Sequence, residues 1–146
     1  METARDRIHP TASDLLGQEA LTQKLLRVTG RALLGIYFIL PGIMKVVGFE
    51  DTSAYMAAHH VPLIPVALIL TIILQIGGGV LLVAGYKTAP IAFLLAGLTL
   101  VISVFMHNFW VYEEGIEQAH ELQNFVKNLG IMAGLMYVAG TAKTSG

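Results

Sequence analysis

Hydrophobic and polar positions fall along this chain in long blocks rather than short alternations. After a polar start come four apolar blocks: about Ala32 to Val47, Leu63 to Gly85, Ala89 to Trp110, and Val126 to Thr141. The second is uncharged from Val61 to Tyr86 and the third from Thr88 to Tyr112. As helices, both are long enough to cross the ~30 Å hydrocarbon core of a bilayer. The other two are shorter. Only 13 uncharged residues separate Arg31 from Lys45, and only 15 separate Lys127 from Lys143. A free-standing span needs roughly 18. These two blocks reach membrane length only if Lys45 and Lys127 lie within the crossing helix. Snorkelling and packing against other helices permit that.

The polar start has its own pattern. Thr11-Ala-Ser-Asp14 has the form of a capping box ahead of Leu15, Leu16, Leu21, Leu25 and Leu26. It predicts an amphipathic helix from Asp14 to Val28, lying on an anionic membrane face through its basic residues. The alternative is a frayed tail ahead of the first span. No apolar h-region occurs here, which argues against a signal peptide. The expected organisation is a polar segment over 1–30, a transmembrane domain over 31–141 and a short tail over 142–146.

Composition agrees with the blocks. The chain has 146 residues, 55% hydrophobic and only 13% charged. Soluble domains carry about 25% charged residues, so this chain cannot dress a soluble surface. It is equally unsuited to disorder. It has no cysteine, which excludes disulfides, thiolate metal sites, iron–sulfur clusters and covalent c-type haem. A net charge of −1 makes nucleic acid an unsuitable partner.

Charge position then sets an orientation. Arg5, Arg7, Lys24, Arg27 and Arg31 precede the first span, Lys87 lies in the second loop and Lys143 in the tail. The first loop has Glu50 and Asp51, the third has Glu113, Glu114, Glu117 and Glu121, and neither has Lys or Arg. This positive-inside pattern puts both termini in the cytoplasm. The predicted fold is all-α: a polytopic four-helix transmembrane bundle.

Lipid is as apolar as leucine, so small and polar residues should mark the faces between helices. The stripes are Arg31, Gly35, Gly42, Lys45; then Thr71, Gln75, Gly78, Gly79; then Ala92, Ala96, Thr99, Ser103, His107; and Lys127, Gly130, Gly134, Tyr137. Their spacings place each set on one helical face. With the orientation above, Lys45, His107, Asn108, Lys127 and Asn128 collect at the outer side. Gln75 lies about 18 Å below the outer start of its helix. Intramembrane ionisable groups are functional candidates by default, although snorkelling and helix capping would place the same residues there.

The chemistry open to these residues is narrow. Glu117-Gln-Ala-His120 has the E-x-x-H form of a di-iron bundle, but the second such motif and the inward carboxylates are missing. No metal site is expected. Gly77-Gly78-Gly79 lies mid-span without the Lys-Ser/Thr of a phosphate loop. A quinone headgroup fits better. It is planar and amphipathic and lives near the interface. Its carbonyls need donors, which Lys45, His107, Asn108 or Lys127 could supply. Its reduction needs a proton donor, a role open to His107 or a lysine. Gln75 and Asn128 complete the candidate cluster, and Trp110 or Phe109 could stack on its ring. An anionic solute or lipid headgroup would fit the same groups.

These residues resemble the DoxX family of small four-helix bacterial membrane proteins. The resemblance covers about Arg31 to Gly140. It rests on Arg31 with Gly42-Ile-Met-Lys45, on Gln75-Ile-Gly-Gly78 through Gly85, on His107-Asn-Phe-Trp110, and on Phe125-Val-Lys127-Asn128-Leu-Gly130. Many members look to have Glu where this chain has Gln75, which removes a mid-membrane proton carrier. The resemblance implies a bacterial inner-membrane protein linked to redox complexes, including a thiosulfate:quinone oxidoreductase subunit. Three functions stay open. One is a quinone-binding membrane subunit that borrows its redox centre from a partner at the outer face. The second is a non-catalytic anchor or scaffold. The third is a small transporter, which would require a homo-oligomer.

Overall fold

The computed structural model describes residues 11–142. Arg5, Arg7 and Lys143, which carry part of the charge pattern, lie outside the described residues, as do 1–10 of the polar segment and 143–146 of the tail. Helix α1 spans Ala12–Val47, α2 Phe49–Ala58, α3 Ile64–Ala84, α4 Thr88–Met106 and α5 Ile116–Thr141. One 3-10 turn covers Phe109–Val111, and no strand occurs among the described residues. The fold is therefore all-helical. Among the described residues, three stretches are long and apolar enough to cross a membrane: α1, α3, and α4 with its following turn. At ~1.5 Å per residue, the 21 residues of α3 span about 32 Å.

Three element boundaries differ from the sequence reading. The amphipathic helix and the first span are one helix, because no proline stands between Val28 and Ala32 and the ~1 kcal/mol cost of Gly30 does not stop it. The first loop, between α1 and α3, contains α2. The helix that holds the fourth apolar block begins about ten residues before that block: Gly115 is extended (φ 167°), and Ile116 opens α5 with Glu117 in its first turn, where a carboxylate suits the helix dipole.

The chain divides into two compact units at Gly30/Arg31. In the first, the capping box forms as a reciprocal pair. The Thr11 hydroxyl and amide donate to Asp14 Oδ2 at 2.6 and 3.0 Å, and the Asp14 amide donates back to Thr11 Oγ1 at 3.3 Å. The hydroxyl bond first, and the amide bond second, hold the Asp14 carboxyl below the usual carboxylate range.

The second unit has a core drawn from four helices: Phe38 of α1, Leu82 of α3, Ala92, Leu95 and Ala96 of α4, and Leu135 of α5. Glycines set the α1–α3 approach. A Cβ on Gly79 would stand 2.6 Å from the Gly35 carbonyl oxygen and 2.7 Å from Ile39 Cγ1, so the two backbones touch there. At the α3–α4 turn the Arg31 guanidinium lies against Gly85, whose φ of 77° also requires glycine. Arg31 Nη2 donates to the Val83 carbonyl at 3.4 Å, satisfying one of the free acceptors at the end of α3.

The exposed faces of α3 and α4 are bulky and apolar, including Ile69, Leu70, Ile73, Phe93, Leu100, Val101 and Val104. Such a surface suits lipid. The interior is uneven. The connected apolar cluster gathers at the α3–α4 turn end, whereas Gln75, Thr99, Ser103 and Asn128 are, among the described residues, the buried polar residues further along, with Leu68 and Met56 buried towards the other end.

Candidate functional site

Helix α4 presents Ala92, Ala96, Thr99, Ser103 and His107 at helical spacing, and the first four are buried. Two hydroxyls along this face bond to their own helix. Thr99 Oγ1 donates to the Leu95 carbonyl at 2.8 Å and Ser103 Oγ to the Thr99 carbonyl at 2.7 Å. The Ser103 proton is thus committed, and its oxygen can only accept. Asn128 Nδ2 donates to it at 3.1 Å. That fixes the Asn128 amide, whose Oδ1 accepts from the Tyr37 hydroxyl at 3.5 Å. A polar tie thus runs from α4 through α5 to α1 inside the bundle.

One turn beyond Ser103, His107 ends α4, and its Nδ1 lies 2.7 Å from Glu121 Oε2 on α5. Both side chains are largely shielded, at 21% and 14% exposure. The contact joins the end of α4 to α5 through one short hydrogen bond. Tyr55 of α2 completes the surroundings. Burial raises its phenol above the ordinary tyrosine value, with Glu121 and Tyr112 adding to the shift. Beside His107, the Asn108 Oδ1 is buried without a donor. Phe109, Trp110 and Phe125 form an edge-to-face cluster with centroids 5.2–5.9 Å apart.

Not every sequence candidate joins this group. Gln75 is 4% exposed, and its Oε1 has no partner. Gly42 of α1 lies directly against it. Lys45, one turn further along α1, is half-buried and makes no ion pair among the described residues. Lys127 is exposed and donates to Asn124 on its own helix at 3.0 Å. Its stripe faces outward: a Cβ on Gly130 or Gly134 would meet nothing within 4 Å, and Tyr137 is 73% exposed. The inward face lies one residue on, at Asn128 and Leu135, because each residue turns a helix by ~100°.

Glu121 was missed as a site residue because it was assigned to a loop. Its spacing shows the signal: Glu121, Asn128 and Leu135 recur every seven residues and share one helical face. No cluster of three or more metal-ligating side chains forms among the described residues.

Comparison with known proteins gives a consistent result. Residues 26–108 match the family DoxX. The inner membrane protein YphA of Escherichia coli (strain K12) is 30% identical over 117 residues, covering 80% of this chain and 83% of the relative. The inner membrane protein YqjF of the same organism is 34% identical over 114 residues, covering 78% and 82%. No solved structure matches the chain.

Proposed function

The chain belongs to the DoxX family, and from that premise we propose a multi-pass inner-membrane subunit that binds the headgroup of a quinone at its outer polar end. A partner protein docked at the outer face holds the redox centre. Both termini are cytoplasmic, and α5 makes the fourth crossing, sheltering its polar face against α4. The observation that carries this reading is the shielded His107–Glu121 pair, set beside the unpaired Asn108 oxygen and the Phe109–Trp110–Phe125 cluster. Hydrogen-bonding groups beside an aromatic wall suit a planar amphipathic ring at the membrane interface. The exposed Glu113, Glu114 and Glu117 favour a basic patch on the partner.

Trp110 is the only tryptophan and reports on the site directly. A short-chain quinone titrated into purified protein should quench its fluorescence saturably. His107→Leu or Asn108→Leu should weaken the apparent affinity about tenfold, equivalent to ~1.4 kcal/mol. A folded protein without saturable quenching overturns the reading.

A further inference from the structure

The second unit sorts its charge by end. Its acids are Glu50, Asp51, Glu113, Glu114, Glu117 and Glu121, and all six lie at the end away from the α3–α4 turn. Among the described residues, the turn end of this unit carries cations and no acid. The Arg31 guanidinium lies against Gly85. Lys87 follows two residues later, exposed, at the entry to α4. Two residues past Lys87, an apolar furrow opens between the start of α4 and the end of α5. Ala89, Pro90, Phe93, Met136, Ala139 and Gly140 line it. Ala89 and Ala139 are half-buried and lie deepest, while Phe93 and Met136 are exposed at its sides. In a bilayer an unfilled furrow forfeits dispersion contacts along its whole lining, and a flexible hydrocarbon chain restores them.

We propose that this end of the protein holds one anionic phospholipid, from the inner leaflet on the orientation given above. Its phosphate pairs with Lys87 beside Arg31, and one acyl chain lies in the α4–α5 furrow. The charge sorting selects the headgroup. An anionic lipid meets two cations, whereas a zwitterionic one also brings a cation of its own to an end without acids. A second copy of the chain suits the furrow less well, because it brings another Lys87 to the same end and no acid to meet it.

The test compares two lipids with identical chains. Dioleoylphosphatidylglycerol and dioleoylphosphatidylcholine are titrated separately into the purified full chain in neutral detergent, and bound lipid is counted by native mass spectrometry. The anionic lipid should bind about fivefold more tightly, the scale of one lysine at an anionic surface. Lys87→Asn removes the charge and tolerates the left-handed backbone there (φ 44°), so the ratio should fall below about twofold. A Cβ on Gly140 would meet nothing within 4 Å, so Gly140→Leu fills the furrow without displacing packed atoms and should weaken both lipids. Equal binding of the two lipids by the wild type overturns the proposal. So does a ratio unchanged by Lys87→Asn, or binding of the anionic lipid unchanged by Gly140→Leu. Displacement of that lipid by an equal concentration of inorganic phosphate would assign the site to a free anion and also overturn it. Circular dichroism confirms folding, and if one variant fails to fold, the wild-type ratio and the other variant decide. Binding in detergent is independent of membrane orientation, so a negative result leaves the quinone reading and the topology standing.

Discussion

Gly79 and Gly35 show how much one methyl group matters where two helices touch. A side chain on Gly79 would overlap the Gly35 carbonyl and Ile39, and both belong to a packed helix rather than a flexible tip. Gly79→Val should therefore destabilise by about 1–3 kcal/mol through overpacking, read as a lowered Tm in detergent. Gly130→Ala, on the open face of α5, should stay within about 0.5 kcal/mol. Gln75 gives the opposite kind of result. Its unpaired oxygen is a cost to the fold, so Gln75→Leu should raise Tm in detergent without weakening quinone binding at the His107 end. Most of these residues were legible in the sequence, since Gly35, Gly42, Gln75, Gly78 and Gly79 stood out as polar or small exceptions in apolar blocks. Lys127 and Asn128 stood out equally. Which of the two faces inward depends on helical phase, and adjacent positions differ by ~100°.

Among the helices, α1 and α5 depart furthest from expectation, for related reasons. Apolar periodicity marks where a helix is buried, and both helices run on past that stretch into polar sequence. The reach of α5 to Ile116 is what turns Glu121 from a loop carboxylate into a partner for His107. The start of α1 was readable because its cap is local chemistry between Thr11 and Asp14. That cap gives a pH dependence of definite sign. The Asp14 value is depressed in the folded helix, so its contribution is present above the ordinary carboxylate range. It is lost as pH falls through the lowered value. Protection of the amides at residues 12–15, relative to an unstructured chain at the same pH, should fall on acidification, and Thr11→Ala should lower it at every pH.

For the molecule as a whole, the strongest untried expectation is topological. With both termini cytoplasmic, single cysteines at Ile116 and Gly48 should react with an impermeant thiol reagent added outside intact cells. One at Tyr86 should react only after permeabilisation. Labelling of Tyr86 from outside would invert the orientation and move the His107–Glu121 site to the cytoplasmic end.

The uneven interior carries an electrical consequence. Phe38, Leu82, Leu95 and Leu135 close the bundle at the α3–α4 turn end with side chains that are essentially fully buried. Moving one elementary charge across a bilayer involves ~2.3 kcal/mol per 100 mV, and an apolar plug takes up most of that drop. The polar end therefore stays close to the potential of the solution it faces. A proton exchanged at His107 should then do little work against the membrane field. Reconstituted in a planar bilayer, the protein should act as an insulator, with quinone affinity unchanged by the applied voltage.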